Sequence, residues 1–313
     1  MITELSNEAA EYGRVAREAF AAAGGDLLAP LAVTDPERSG SIVTSVLTEL
    51  GAWDLDAGTG GDDAEATAAL CRSAGYWALV HPVAERLSRP TDLDADGLVV
   101  VSPITPSARV AGLDLRWVAV DLEGRRSAAT PRPEAEQRRR NAFVVGLELE
   151  RLDDGGAADA ALGLVLLCWT LLGMLDRAVD VTRTHILERE QFDQPLASFQ
   201  GVQFQLTDAE VERLGLEELA KYSLWSLGTQ RPEALDDALA LRVAALEAAD
   251  VVLRVAHQLH GAIGFCDETA LSWVSRASVP LRRHPLGLSA TRSELTRRIS
   301  RRGLTGLFSA SAR

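Results

Sequence analysis

Apolar residues recur at helical spacing through most of the chain, and the strand-like period of two is confined to its middle. Residues 3 to about 24 form an amphipathic pattern rich in Ala and Glu, closed by Gly24-Gly25. A second helix is predicted over 40–51, after the breaker Asp35-Pro36, and Gly58 to Gly61 reads as a loop. Asp62 to Arg89 returns to helical spacing, with Leu70, Trp77, Leu79, Val80, Val83 and Leu87 on or near one apolar face and a kink expected at Pro82. From Pro90 the pattern changes. Leu98–Val101, Arg116–Val120 and Ala142–Leu149 are short runs rich in β-branched residues, separated by turn residues, and are predicted strands. Arg125 to Arg140 is polar and contains two prolines, which predicts a loop. The basic patch Arg138-Arg139-Arg140 within it reads as solvated.

A long helix is predicted to begin at Asp153-Asp154-Gly155-Gly156. Its stretch Ala160 to Leu175 has no charge over sixteen residues, between Asp159 and Asp176. That falls short of the roughly 18–20 residues that span a bilayer, so a fully buried bundle helix is expected. Further helices are expected at about 199–228, 232–260, 268–280 and 288–308, the last basic through Arg292, Arg297, Arg298, Arg301 and Arg302. Long helices joined by short turns predict an antiparallel four-helix bundle. The expected fold is mainly α with a small middle β region: an N-terminal helical domain (1–90), a reduced β domain (91–152) and a C-terminal helical bundle domain (153–313).

Composition narrows the functional classes. The 313 residues are 47% hydrophobic and 25% charged, as in a soluble globular protein. The net charge of -13 argues against a nucleic-acid partner held through phosphates. Cys71, Cys168 and Cys266 are far apart and form no disulfide framework, which fits a reducing cytoplasm. The first residues lack a basic start and an apolar run, so no signal peptide is expected, and no membrane partner is assigned. His257 and His260 lie three apart, but no carboxylate or cysteine of matching spacing accompanies them, so no metal site is assigned.

The candidate chemistry gathers at Arg189 to Gln203. Pro195 disfavours helix at Gln194, and Ser198 is placed to cap the helix that follows. An arginine fork beside a helix start suits a bound anion, although the same spacing also describes an ordinary helical corner with a solvated arginine.

This stretch resembles the Arg-x-x-Phe-Gly-x-x-Leu-x-x-Phe-Gln segment of acyl-CoA dehydrogenases. Gln258-Leu259-His260-Gly261-Ala262-Ile263-Gly264-Phe265 resembles the same family's Gln-x-x-Gly-Gly-x-Gly-Phe segment. The likeness runs from about residue 156 to 276. It implies that the two segments hold the ADP half of an FAD bound mainly by a neighbouring subunit. By the resemblance, Arg189 reaches the pyrophosphate and Phe192 packs near the cofactor. Gln200 offers an amide, with Gln191 as a further contact. Gln258, Gly261, Ala262 and Gly264 form the second segment. Asp193 stands where the family has glycine, and Ala262 where it has its second glycine.

The resemblance also exposes an absence. Flavin-dependent α,β-dehydrogenation needs a carboxylate within reach of the α-proton. Most members of the family place it nine residues beyond the equivalent of Arg276, which is Pro285 here. A minority place it ten residues before the equivalent of Gly173, which is Gly163 here. No strand matches the one that covers the flavin ring in the family, although Trp117 lies in that region. The chain is therefore similar to the short subunits of heteromeric α2β2 acyl-CoA dehydrogenases of bacterial steroid and cholesterol side-chain breakdown. This implies that a second subunit carries the catalytic glutamate and most of the acyl-CoA contacts. Two other readings stay open: a self-sufficient enzyme with a displaced base such as Glu148 or Glu268, and a flavin-free helical scaffold.

Overall fold

Side-chain caps set where the first helices begin. In the computed structural model, which describes residues 4–110, 115–132 and 144–304, the Ser6 hydroxyl accepts from the Ala9 amide and opens α1 (Asn7–Ala22). Asp35 accepts from the Arg38 amide and, with Pro36 in the first turn, opens α3 (Pro36–Glu49), which starts earlier than the apolar pattern alone predicts. Between them lies α2 (Leu28–Thr34), at seven residues too short to show a periodic signal. The single helix predicted over 62–89 is instead two, α4 (Gly61–Tyr76) and α5 (Val83–Leu87). The chain leaves the helix at Trp77 and passes Ala78 at φ 51° rather than kinking at Pro82. The Trp77 indole is held outside the helix by donating to the Arg17 carbonyl at 2.8 Å.

The strands are β1 (Gly97–Val100), β2 (Ser107–Ala108), β3 (Trp117–Val120), β4 (Arg126–Pro131) and β5 (Val145–Asp153). They form one sheet in the order β1-β3-β4-β5-β2, with β1 and β3 parallel and the other pairs antiparallel. Alternation divides its faces: Leu98, Val100, Val118 and Val120 pack on the helices, whereas Val99, Val101, Trp117, Ala119 and Leu147 build a separate small core. Trp117 belongs to that small core and is buried.

β4 corrects the loop predicted over 125–140. Its sequence Arg-Ser-Ala-Ala-Thr-Pro has little strand propensity, but β3 and β5 supply hydrogen-bond partners on both sides. Its buried Arg126 bonds Asp92 and Asp153 at 2.8 Å and Asp159 at 3.3 Å. The rest of that predicted loop, including Arg138-Arg139-Arg140, lies outside the described residues.

Beyond the sheet, α6 (Ala157–Glu188) runs into a two-residue hairpin of β6 (Glu190–Gln191) and β7 (Gln194–Pro195). Then follow α7 (Gln200–Gly228), α8 (Ala234–His260), a 3-10 turn (Gly261–Phe265), α9 (Ala270–Arg283) and α10 (Leu288–Arg302). Every residue from Ala160 to Asp176 is buried, in one core shared with α1, α3 and α4. Counted with its flanking charges, α6 is the one helix among the described residues long and apolar enough to cross a membrane, and 78% of that window is buried inside the protein.

α4 and α6 touch backbone to backbone. A Cβ on Gly75 would lie 1.9 Å from the Thr170 carbonyl oxygen, and one on Gly173 would lie 1.9 Å from that of Arg72. The crossing brings Arg72 to Asp176 at 2.6 Å and to Glu217 of α7 at 2.8 Å, and Arg213 bonds the same two carboxylates at 2.9 and 3.2 Å. Replacing Gly173→Ala should lower stability by about 3 kcal/mol or more, because backbone must move to admit the methyl group. Gly215→Ala, with nothing within 4 Å of the new Cβ, should be neutral or stabilise by about 0.5–1 kcal/mol. Urea unfolding of both variants makes the comparison, and an unchanged midpoint for Gly173→Ala would disprove the close crossing.

Candidate functional site

Arg189 caps the C-terminus of α6, its amide bonded to the His185 carbonyl at 2.8 Å. Its guanidinium is exposed and pairs with no carboxylate or carbonyl among the described residues. The turn of the hairpin consists of Phe192 and Asp193, at φ 52° and 61°. Two consecutive left-handed residues are what a type I′ hairpin requires. Asp tolerates that conformation well, and Asp193 therefore keeps the backbone shape of the glycine it replaces. Phe192 is 85% exposed and meets Phe199 edge to face at 6.3 Å. Gln191 and Gln200 are exposed, Gln200 as the first residue of α7.

Ser198 does not cap α7. It ends a 3-10 turn (Leu196–Ser198), and the N-cap position falls on Phe199, which has no side-chain acceptor. The first amides of α7 thus face outward without a side-chain oxygen beside them, as an anion site needs.

The second segment closes α8. Gln258 and Ala262 are exposed, and Gly261 ends the helix at φ 64° with open space where a Cβ would stand. Gly264 has a different task. A Cβ there would sit 2.9 Å from that of His260, so this glycine permits local packing rather than the approach of a ligand.

Stacked imidazoles bring the two segments to one end of the bundle. His185, one turn before Arg189, stacks on His260 at 4.4 Å between ring centroids, and His257 stacks on Phe265 at 4.3 Å. Sequence spacing gave no sign of the first pair. Burial pushes the pKa of His185, His257 and His260 below the usual imidazole range, and Arg189 lowers that of His185 further. Around these groups Leu187, Phe204, Ile263 and Phe265 are exposed, and Phe204, Val211 and Leu214 continue as one exposed stripe along α7.

Toward the other end of α6, neither expected base position has room for a reacting group. A side chain at Gly163 would meet Val100 Cγ2 at 2.7 Å, and Pro285 is buried. The corner around Pro285 is fastened by the buried Arg242, whose Nη2 donates to the carbonyls of Leu281, His284 and Leu286 at 3.0, 2.6 and 2.9 Å. A cavity of about 20 Å³ remains there, lined by Glu85, Val100, Ser107, Arg109, Leu167 and His284. That is room for about one water molecule. Inside it Arg109 pairs with Glu85 at 3.5 Å, and Ser107 bonds the His284 ring at 3.2 Å. Glu85 is the carboxylate of this corner, and sequence reading missed it because it sits between the apolar Val83 and Leu87 with no motif around it. Glu148 and Glu268 are exposed and do not line the corner. A larger cavity of about 530 Å³ opens beside the start of α6. Arg231 and Arg298 in its wall are already paired with Glu233 and Asp236, and it contains no residue of either segment.

Known proteins share this fold. Residues 161–286 match the acyl-CoA dehydrogenase C-terminal domain. Over 183 residues the chain is 29% identical to 3-sulfinopropanoyl-CoA desulfinase of Paraburkholderia xenovorans, covering 56% of this chain and 43% of that one. Over 146 residues it is 31% identical to acyl-CoA dehydrogenase IpdE2 of Mycolicibacterium smegmatis, covering 46% and 42%. The chain thus spans less than half the length of these curated relatives. Among solved structures, the ChsE4-ChsE5 complex from Mycobacterium tuberculosis superposes with a TM-score of 0.73 at 16% identity, over 98% of this chain and 100% of that one. A variant of the Tcur3481-Tcur3483 steroid acyl-CoA dehydrogenase gives 0.66 at 17% identity, over 95% and 99%. The family and its solved neighbours are FAD-dependent. The unpaired guanidinium, the free amides of Gln200 and Gln258 and the open Gly261 fit the phosphate-bearing half of that cofactor. Residues 161–286 thus match the C-terminal domain of the acyl-CoA dehydrogenases, and the chain has the acyl-CoA dehydrogenase fold.

Proposed function

We propose that this chain is a non-catalytic subunit of a heteromeric FAD-dependent acyl-CoA dehydrogenase, supplying the ADP-side half of a flavin site whose base, ring contacts and acyl-CoA pocket belong to a second subunit. The observation that carries this reading is the contrast between the two ends of α6. One end presents an arginine and side-chain amides exposed at the surface; toward the other, Gly163 has no space for a side chain and Pro285 is buried, so neither expected position offers a carboxylate. The bound flavin supplies the hydride acceptor, and the residues of this chain hold its phosphates.

Geometry argues for a second chain. Gly163 and Arg189 are 26 residues apart on one helix, or roughly 39 Å along its axis. A single dinucleotide does not bridge that span, so Arg189 serves a flavin ring held by another molecule. The exposed aromatic and aliphatic surface around Phe192, Phe204 and Phe265 suits such an interface. Two structural neighbours, the ChsE4-ChsE5 complex and the Tcur3481-Tcur3483 steroid enzyme, are named as pairs of chains and support a heteromer acting on a bulky acyl-CoA. The displaced-base reading finds no support in exposed Glu148 and Glu268. The free anion-binding groups disfavour a flavin-free scaffold.

Purified alone, the chain should show no acyl-CoA dehydrogenase activity, and Pro285→Glu should not restore any, because Pro285 is buried and opens onto no acyl-sized space. Turnover by either protein with an artificial electron acceptor would overturn the assignment. Co-expressed with its partner, it should yield one FAD for every two chains when flavin is released by denaturation. A ratio near one FAD per chain would show that this chain builds a complete site.

In the same complex Arg189→Ala should weaken FAD retention roughly 10- to 150-fold, the loss of one charge-assisted interaction of about 1.5–3 kcal/mol. Arg189→Lys should recover part of this, since an ammonium lacks the planar fork. The melting temperature of the flavin-free complex should barely move, because the Arg189 guanidinium bonds nothing among the described residues and its backbone bonds survive the substitution. Flavin titration and apo melting together test this, and unchanged affinity would make Arg189 a solvated corner residue.

A further inference from the structure

We infer that His185, stacked on His260, is a proton-coupled part of the flavin half-site: it takes up one proton from solvent when the pyrophosphate binds at Arg189. The inference rests on the half-site reading above and adds a group that neither sequence segment contains.

Position is the first argument. His185 lies in the last turn of α6 and His260 in the last turn of α8. Both helix C-termini carry partial negative charge that favours an imidazolium. The Nδ1 of His260 donates to the Ala256 carbonyl at 2.8 Å, which fixes that ring as the partner in the stack. His185 is half-buried against it and keeps a path to solvent.

Charge is the second. Within its own helix, Arg189 disfavours a proton on His185 and Glu188 favours one. On α8, His185 and His257 both disfavour a proton on His260, and His257 is turned onto Phe265 of the following 3-10 turn. With the site free, burial and Arg189 keep His185 neutral. A pyrophosphate at Arg189 neutralises that arginine's field and adds negative charge one helical turn away. The balance then favours the imidazolium, which becomes a second cation for the phosphates.

The sign follows from linkage. The pKa of His185 is low in the free site and rises in the bound one, so protons are taken up on binding between those two values. Affinity for FAD therefore increases as pH falls, by up to about tenfold per pH unit within that window. The calorimetric test titrates FAD into the co-expressed complex between about pH 8 and pH 6, in buffers of different ionisation enthalpy. Proton uptake approaching one per FAD, together with tighter binding at the lower pH, is the expected result. His185→Phe retains a stacked ring that cannot bind a proton, and His185→Gln removes the ring. Either variant should bind FAD with an affinity that no longer responds to pH, while a folded complex is verified by native mass. PH-independent binding by the unaltered complex, or unchanged proton uptake in both variants, overturns the role of His185 and leaves the half-site reading standing. No FAD binding at any pH overturns both.

Discussion

The contact on which the rest of the structure depends is the crossing of α4 and α6 through Gly75 and Gly173. With no side chain at either position, each helix comes within van der Waals reach of the other's carbonyl oxygens. The approach makes α6 the axis of the molecule and lets one uncharged helix be buried by both N-terminal and C-terminal neighbours. It also places Arg72 where it joins Asp176, Arg213 and Glu217 in one network across three helices. Buried charge arranged in this way is costly to break singly, since each partner left behind is desolvated and unpaired. The crossing therefore fixes register as well as distance.

A rigid α6 has a consequence for chemistry. Its two ends are held at a set separation and have become different things. Near its start the helix lies so close to β1 that Gly163 has no space for a side chain, and Arg242 ties the facing backbone down through three carbonyls. Near its end the chain turns outward into a hairpin that offers donors with no internal acceptors. Packing thus leaves no space for a side chain at Gly163, while the Arg189 end of the same helix stays open.

The outward end is also where polar and apolar groups mix most freely. Arg189, the two glutamines and the histidine stack lie among exposed Phe192, Phe204 and Phe265. On the proposed reading, a surface of this composition would present charge to a phosphate and an aromatic rim to a protein partner.

By itself the sequence determined the helical character of both halves, the burial of α6 and the two segments that meet at its end. Those features are local. They depend on a 3.6-residue period, an uncharged run from Ala160 to Leu175, and Pro195 and Gly261 punctuating helix ends. Tertiary structure decided what depends on neighbours. β4 exists because two strands flank it, against its own propensities, and Trp77 leaves its helix to reach the Arg17 carbonyl. Ser198, a good cap by residue type, lies one position too early to reach the amides of α7. Gly264 serves packing, and Glu85 and Arg109 meet in a corner formed by elements far apart in the chain. The stacking of His185 on His260, 75 positions away, follows from how α6 and α8 pack, and no periodicity within either helix encodes it.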